Sequence, residues 1–316
     1  NTGTNTTSVT LAGESIDANS PTIANVTIAD TLMNVGDIVT VNISASEAGL
    51  TLVSGSVNGI AIDGFSDDGL GNYSATYTVL EGHTDRAAGD AIPVSLILRD
   101  AAGNQTTTYT TAISQASDAI DANSPTIDSV SVANGIHKVG DAVIVTITAS
   151  NNETGLTLSS TTFNGQPLGT ITDNLNGTYS ATYTVTEGDL DIADGGNVTT
   201  DLAFTDAAGN TGANITSVTL TSESIDANSP TITSVSVADG VHKVGASVAV
   251  IITASNNETG LTLSSTTFNG QTLGTITDNL DGTYSAIYTV AEGDPDIADL
   301  GSVTTDLAFT DVAGNT

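Results

Sequence analysis

The sequence lacks several residue types, and each absence narrows what the protein can be. It has no cysteine, so disulfide bonds contribute nothing to its stability. With three histidines besides, zinc and softer metals are poor candidates, because they prefer thiolate and imidazole ligands. No apolar run approaches the length of a membrane span, and no signal peptide is visible at Asn1. We therefore expect no membrane insertion in this segment, and since residue 1 is not Met we expect a piece of a longer chain.

Basic residues are also scarce. Lys and Arg together number 4 against 36 Asp and Glu, which gives a net charge of −32. Such a surface repels nucleic acid and anionic membranes, so neither is expected as a partner. A disordered acidic chain is excluded as well, because hydrophobic residues make up 38% of the sequence and follow a regular pattern. The charge instead suits a surface that gathers cations.

The chain contains a long internal repeat. The segment "IDANSPTI" occurs three times, with its Asp at positions 17, 121 and 226, so the copies are 104 and 105 residues apart. Residues 121–211 and 226–316 agree at 76 of 91 positions without gaps. The first copy is more diverged but keeps "VGD", "YSATYTV", "EG" and "DAAGN". A repeat of this length has the size of a whole domain.

Within one copy the hydrophobic period is two, which is typical of half-buried antiparallel strands. In "DAVIVTITAS", for example, Val143, Val145 and Ile147 alternate with polar residues. Turn signals such as Asn164-Gly165 separate the runs. The second copy predicts seven strands, at about 125–133, 141–150, 156–163, 168–173, 177–186, 198–205 and 213–222. The predicted fold class is all-β: tandem immunoglobulin-like β-sandwiches of about seven strands each, arranged as a linear rod.

The N-terminus is out of phase with this unit, because residues 1–15 match residues 210–224. We therefore assign 1–16 to the last strand of a preceding repeat, 17–120 to repeat 1, 121–225 to repeat 2 and 226–316 to repeat 3, which lacks its final strand. An unpaired strand and an open sheet edge both favour association. For the 316-residue chain we expect head-to-tail self-association by strand addition, whereas in a longer chain neighbouring repeats would supply both strands covalently.

The repeated "IDANSPTI" segment, which we call the linker, is too short and polar to predict a core element. It supplies Asp17 and Asn19, Asp121 and Asn123, and Asp226 and Asn228. In a sandwich the E–F loop of one repeat and the B–C and F–G loops of the next fall near such a linker. At the linker that begins repeat 3 these loops contribute several further oxygen donors, namely Glu187, Asp189, Asp191, Asp194, Asn256, Asn257, Glu258, Asp311 and Asn315.

Carboxylates gathered in this way repel one another, at on the order of 4 kcal/mol for two charges about 4 Å apart at a surface-like dielectric. We expect none of the four cationic residues to lie close enough to neutralise them. Hard oxygen ligands are what Ca²⁺ takes, in six- to eight-fold coordination. The linker is therefore predicted to be a calcium-binding hinge, although Asp and Asn are common in ordinary solvated turns. The cationic residues are Arg86, Arg99, Lys138 and Lys243.

The E–F loop of repeat 1 reads "LEGHTDRAAGD" at 80–90, with His83, Arg86 and fewer carboxylates than its counterpart in repeat 2. We expect a poorer ion site there, or none.

Taken in order, "VGDAVIVTITAS", "GTYSATYTVTEGD" and "TDAAGN" resemble the bacterial Ig-like tandem repeats of giant surface adhesins secreted by Gram-negative bacteria. The resemblance covers the whole chain. It implies an extracellular extender region, in which calcium-stiffened sandwiches hold a ligand-binding tip away from the cell surface. It also implies that the linker pairs share their calcium ions with the F–G loop residues Asp100, Asn104, Asp206, Asn210, Asp311 and Asn315.

Enzymatic function is not expected. No Ser or Thr stands in a nucleophile-elbow motif, and no His accompanies one. Paired carboxylates could indicate glycoside hydrolysis, but the clusters recur in every copy and tryptophan platforms for sugar are missing. Two function classes remain: a spacer, or a module whose loops bind a glycan or a protein. The near-identity of repeats 2 and 3 favours the spacer, because spacers are copied for length.

Overall fold

The computed structural model describes residues 7–316. In that part of the chain the regular elements are β-strands and two short 3-10 turns, and no helix is long and apolar enough to span a membrane. The all-β prediction is thus confirmed. The residues group into two compact units: unit 1 runs to Pro125 and includes Thr205–Thr211, and unit 2 holds Thr126–Phe204 and Gly212–Thr316.

Unit 1 contains two facing sheets around one core, with strand orders β1-β3-β7-β6 and β5-β4-β8, and a short parallel pair, β2-β9. Tyr73, Tyr77 and Leu96 are among its buried side chains. The strands are β1 (Ile23–Thr27), β2 (Met33–Asn34), β3 (Ile38–Ala45), β4 (Thr51–Val57), β5 (Ile60–Ala61), β6 (Asp63–Asp67), β7 (Asn72–Thr78), β8 (Val94–Arg99) and β9 (Ile120–Asp121).

The first sandwich of unit 2 has strand orders β10-β12-β16-β15 and β14-β13-β17-β18, and a longer parallel pair, β11-β19. The two sheets enclose a second core. The strands are β10 (Ile127–Val132), β11 (Gly135–Lys138), β12 (Ala142–Ala149), β13 (Thr157–Phe163), β14 (Gln166–Pro167), β15 (Thr172–Asp173), β16 (Thr178–Thr184), β17 (Asn197–Thr205), β18 (Ile215–Thr219) and β19 (Glu223–Asp226); a 3-10 turn covers Ser150–Asn152.

The second sandwich of unit 2 repeats this plan with strand orders β20-β21-β25-β24 and β23-β22-β26 around a third core. The strands are β20 (Ile232–Val237), β21 (Ser247–Ala254), β22 (Thr262–Phe268), β23 (Gln271–Thr272), β24 (Thr277–Asp278), β25 (Thr283–Thr289) and β26 (Thr305–Thr310), with a 3-10 turn at Ser255–Asn257.

The cores follow directly from the period of two. In β12 the side chains of Val143, Val145 and Ile147 are buried and the intervening ones are not. Aromatic pairs join the two sheets: in repeat 2 the ring centroids of Tyr179 and Phe204 lie 4.6 Å apart. Edge-tilted pairs at this spacing stabilise beyond the area they bury. The faces predicted for these strands are therefore confirmed.

The strand predicted at 168–173 is the least accurate of the seven. Only Thr172–Asp173 is a strand there, because the chain crosses from one sheet to the other just before it. The N–H of Leu168 bonds to the carbonyl of Thr161 in β13, and that of Gly169 bonds to the carbonyl of Thr182 in β16. Two successive residues thus serve opposite sheets, so no continuous strand can form.

The linker departs from its predicted character as well. Glu223–Asp226 forms β19, which pairs in parallel with β11, and Ile225 and Ala227 are buried in the core of repeat 2. Ile120 and Ala122 are buried in the same way in repeat 1. The expectation that the linker takes no part in a core is wrong, because alternate residues of this short strand point inward while Asp and Asn face out.

The predicted N-terminal strand lies partly outside the described residues, since the description begins at residue 7. Residues 7–16 form no strand, and Val9, Leu11 and Ile16 are 81%, 45% and 82% exposed. Their matched positions Leu220 and Ile225 are each only 2% exposed. The matching sequence in repeat 2 forms strands where it pairs with a sheet edge, whereas residues 7–16 have no such pairing and form no strand.

Candidate functional site

The carboxylates of the E–F loop in repeat 2 hold the following linker by direct hydrogen bonds. Asp191 accepts the backbone N–H of Ala227 at 2.8 Å and the side-chain amide of Asn228 at 2.7 Å. Glu187 accepts the N–H of Ser229 with both oxygens, at 3.0 and 3.2 Å. We call this arrangement the linker clamp. It orients the residues through which the chain leaves repeat 2.

Repeat 1 carries the same clamp, on residues that the sequence analysis missed. Asp85 accepts the N–H of Ala122 at 2.8 Å and the amide of Asn123 at 2.7 Å. Glu81 accepts the N–H of Ser124 at 3.0 and 3.1 Å. The available signal was the spacing, because Glu and Asp stand four residues apart in both "EGHTD" and "EGDLD".

Asp189, although proposed as a ligand from its position in the E–F loop, points into repeat 2. Its carboxylate accepts the hydroxyl of Tyr183 at 2.8 Å, the N–H of Thr186 at 2.9 Å and the amide of Gln166 at 2.6 Å, and it is 8% exposed. Burial, together with the neighbouring Asp189 charge, raises the pKa of Tyr183 well above its ordinary value. His83 takes the place of Asp189 in repeat 1, and its Nδ1 accepts the N–H of Leu80 at 3.1 Å.

The F–G loops are closed by their own Asp. In repeat 3, Asp311 Oδ1 accepts the N–H groups of Gly314 at 2.7 Å and Asn315 at 2.9 Å. The Asn315 amide donates to the other Asp311 oxygen at 3.0 Å. The same three contacts recur in the remaining F–G loops, between Asp100 and Gly103–Asn104 and between Asp206 and Gly209–Asn210.

The Asn of each closed loop then reaches the preceding repeat. Asn315 Oδ1 accepts the N–H of Val139 at 2.8 Å, and its amide donates to the carbonyl oxygen and carboxylate of Asp226 at 3.2 and 3.1 Å. Within unit 1, Asn210 Oδ1 accepts the N–H of Val35 at 2.8 Å, and its amide donates to the Asp121 carbonyl at 3.3 Å. These asparagines are 3% and 4% exposed.

We define two joints from these contacts. The first joint is formed in unit 1 by the clamp residues Glu81 and Asp85, the linker from Asp121, and the loop Asp206–Asn210. The second joint is formed in unit 2 by Glu187 and Asp191, the linker from Asp226, and the loop Asp311–Asn315. Most of the predicted site residues meet at one of these joints. Asp17, Asn19, Asp100 and Asn104 belong to an earlier linker and loop, where the Asn104 amide lies 3.5 Å from the Asp17 carbonyl oxygen.

The carboxylates at the second joint repel one another. Burial and the charges of Asp311 and Asp191 raise the pKa of Asp226. Burial and the charges of Asp311, Asp226 and Asp191 raise the pKa of Glu258. A raised carboxylate pKa means that the charged form is disfavoured where it stands. Asp191, Asp226, Glu258 and Asp311 therefore lie close enough for their charges to act on one another.

The first joint shows the same effect. Burial and the charges of Asp206, Asp85 and Glu81 raise the pKa of Asp121. Negative charge is thus concentrated at both joints in similar positions.

One expectation about the joints is wrong. The ammonium group of Lys138 lies at the second joint, where it donates to the carbonyl oxygen of Gly314 at 2.9 Å. Lys138 is far from the linker in sequence, but the pairing of β11 with β19 places it opposite Asp226. The corresponding residue at the first joint is Asn34, which is uncharged and pairs opposite Asp121.

A divalent ion would find oxygen donors at each joint but would have to rearrange them. Among residues 7–316, no three His, Cys, Asp or Glu side chains form a group that could hold a metal ion. The oxygens of Asp191, Asp311 and Glu187 are turned toward N–H groups of the linker and loop. The donor chemistry fits Ca²⁺, which accepts carboxylates, amide oxygens and backbone carbonyls.

No protein-family model and no curated protein matches the chain. Solved structures give distant likenesses to tandem domains. The I-band fragment I67–I69 of titin is 12% identical, with 93% of this chain and 98% of that chain covered, at a TM-score of 0.37. The ectodomain of mouse nectin-like molecule 4 (Ig1–Ig3) is 13% identical, with coverage of 90% and 93%, at 0.31.

Invasin, a bacterial integrin-binding protein, is 16% identical, with 85% of this chain and 55% of that chain covered, at a TM-score of 0.28. At these values the likenesses carry no conclusion about function. The paired sheets themselves define the class: this chain consists of tandem immunoglobulin-like β-sandwiches.

Proposed function

We propose that the chain is a non-enzymatic spacer segment of an extracellular bacterial surface adhesin or fibre, whose joints are stiffened by calcium. The observation that carries the proposal is the recurrence of one joint. Clamp, linker and F–G loop make matching contacts at two places, 104 to 106 positions apart, such as Asp85 with Ala122 and Asp191 with Ala227. A binding or catalytic site has no need to recur at every boundary, whereas a joint does.

Calcium enters the proposal through charge. Four carboxylates crowd the second joint, where burial and the neighbouring charges together raise the pKa values of Asp226 and Glu258. A bound divalent cation would relieve this repulsion and would favour the ordered joint over the loose one by mass action. We propose Asp191, Asp226, Asp311 and Glu187 as ligands, with the amide oxygen of Asn228 turned toward the ion.

The test compares the protein in calcium and in chelator. We expect the melting temperature to fall by several degrees in chelator and to recover with Ca²⁺ more than with Mg²⁺. Small-angle scattering should show a longer and stiffer particle in calcium, which would support the rod arrangement. Asp226→Asn should weaken the calcium response, whereas Asp63→Asn, at an exposed position of the edge strand β6 and outside both joints, should leave it intact. Melting and scattering curves that are the same in calcium and in chelator would refute the proposal.

A second candidate, head-to-tail association, is favoured by the exposure of Val9, Leu11 and Ile16. Leu220 and Ile225, the counterparts of Leu11 and Ile16 in repeat 2, are buried, so the same residues could add to an open edge of β26 in another chain. Light scattering at rising concentration tests this, with Leu11→Asn/Ile16→Asn as the disabling variant. A strict monomer at high concentration excludes it.

A further inference from the structure

Two of the four cationic side chains of this chain occupy one turn position. Lys138 and Lys243 each precede a Val-Gly pair at the turn that leads into β12 and β21, and Asn34 holds the same position before β3 in repeat 1. The chain has 36 acidic residues and few cationic ones, so a lysine at the same turn position in two repeats needs a physical explanation.

The side chain of Lys138 contacts the F–G loop of repeat 3 at the second joint. Its Nζ donates to the Gly314 carbonyl at 2.9 Å, and a Cβ placed on Gly314 would lie only 3.2 Å from that Nζ. The next residue, Val139, donates its N–H to Asn315. The side chain is half-buried, so its charge is screened less than that of an exposed lysine. A hydrogen bond from a charged donor is also stronger than one from a neutral amide.

Asn34 stands in an equivalent backbone setting without the charge. Its N–H donates to Asp37 at 2.8 Å, as that of Lys138 donates to Asp141 at 3.0 Å. The Asn34 Nδ2 lies 3.2 Å from where a Cβ on Gly209 would stand, which matches the approach of Lys138 to Gly314. Its Oδ1 is buried and has no hydrogen-bond partner among the described residues. The first joint therefore has the same architecture, with an uncharged residue at this turn position; the nearest cationic residue in its own loops, Arg86, turns its guanidinium toward Asn58.

We propose that the residue at this turn position sets how strongly each joint depends on dissolved cations. Lys138 acts as a tethered cation that holds the F–G loop of repeat 3 against repeat 2 and offsets part of the carboxylate charge. The first joint, with the uncharged Asn34 at this position, depends more on cations from solution. The part of this inference that concerns calcium rests on the proposed function, whereas the part that concerns Lys138 and the loop does not.

The experiment uses the full chain labelled with ¹⁵N on valine, with amide hydrogen exchange followed by NMR. The Val35 amide reports on the first joint and the Val139 amide on the second, because each donates to the Asn of the docked loop. Three variants are compared with the native chain at low ionic strength, in chelator and along a CaCl₂ titration. They are Lys138→Asn, Asn34→Lys and the control Lys243→Asn, which makes the same charge change at an exposed turn.

In chelator, Lys138→Asn should speed exchange of the Val139 amide about threefold to tenfold relative to Lys243→Asn, and leave Val35 unchanged. Asn34→Lys should slow exchange at Val35 alone, so the test does not depend on one destabilised variant. In the native chain Val35 should need calcium for full protection, whereas Val139 should keep much of its protection without it.

The outcomes separate the two proposals. Equal Val139 exchange in Lys138→Asn and Lys243→Asn, with no slowing at Val35 in Asn34→Lys, overturns the role of Lys138 even if calcium protects both joints. If calcium does not change exchange at either joint, but Lys138→Asn speeds exchange at Val139 and Asn34→Lys slows it at Val35, the calcium proposal is overturned and the role of Lys138 is supported.

Discussion

Val139 and Asn315 stand 176 positions apart in the chain, yet the N–H of one donates to the side-chain oxygen of the other at 2.8 Å. The contact joins the turn of one sandwich to the F–G loop of the next. It involves no charge, so it orders the joint whether or not a cation is present. The Asn315 amide also donates to Asp311 in its own loop, and this bond holds the side chain in the orientation that the contact with Val139 needs.

Asn315→Ala should loosen the second joint and lower the free energy of unfolding by about 1–3 kcal/mol, because the N–H of Val139 then loses its acceptor. Since the chain has no cysteine, pairs of introduced cysteines can carry spin labels on the two sandwiches of unit 2. The distance distribution between labels should broaden. Asn214→Ala, which removes an exposed Asn whose amide donates to Asp201, is the matched control. An unchanged distribution would contradict the docking role.

The clamp carboxylates should act on the linker in a repeat-specific way. Asp191→Asn replaces the carboxylate that accepts hydrogen bonds from Ala227 and Asn228 by a neutral amide. We expect the free energy of unfolding to fall by roughly 0.5–1.5 kcal/mol and the Ala227 amide to be less protected from exchange. Asp85→Asn should do the same at Ala122. Asp194→Asn lies in the same loop and is likewise exposed, but the Ala227 N–H donates to Asp191, so this variant should leave the Ala227 amide unaffected. Hydrogen exchange measures all three, and equal effects from Asp194 and Asp191 would rule out the clamp.

Asp189 should behave as a core residue and not as a joint residue. Asp189→Asn disturbs the buried acceptor of Tyr183, Thr186 and Gln166, which should cost repeat 2 about 1–3 kcal/mol. Denaturant unfolding measures this loss. The shift in melting temperature between calcium and chelator should keep its native size. A variant that loses this shift would restore Asp189 to the ligand set.

The joints should respond to acid in an unusual direction. The pKa values of Asp226 and Glu258 are raised in the folded chain, so their contribution to stability is present at low pH and is lost as pH rises through those pKa values. In chelator, lowering the pH from neutrality toward the pKa values of these two carboxylates should therefore slow opening of the second joint, which also faces Asp191, Asp311 and Lys138.

The Val139 amide is the local reporter for this effect, with its exchange rate corrected for the intrinsic dependence on pH. Glu258→Gln should reduce the response, because one of the two titrating groups is gone. A joint that opens more readily at the lower pH than at neutrality in chelator would contradict the assignment.

The fold was predictable from the sequence because its strands are long enough to show their period. The alternation in Val143, Val145 and Ile147 shows which face is buried without reference to any other part of the chain. The pairing of β11 with β19 was not predictable, since two four-residue segments meet in parallel although their paired residues are 88 positions apart in the chain, and neither has a turn signal. Short strands of this kind are specified by tertiary contacts.

The site was predictable in outline only. The sequence grouped the carboxylates of clamp, linker and F–G loop correctly, since loop position in a sandwich follows from strand order. It missed Glu81 and Asp85, because His83 in the same loop made that loop look poor in ligands. It also missed Lys138, whose place beside Gly314 depends on the parallel pair and on how the loop docks.

The parallel pair has a mechanical consequence. When the chain is pulled from both ends, the force draws β11, near the start of the sandwich, one way and β19, its last strand, the other way. Because β11 and β19 run in parallel, tension loads their ladder in shear, and its bonds must break together instead of unzipping one by one. Repeat 2 pairs four residues in this way, from Gly135 with Glu223 to Lys138 with Asp226, whereas β2 and β9 of repeat 1 pair two. Under rising load the first repeat should yield before the second, so its shorter ladder acts as the weaker link.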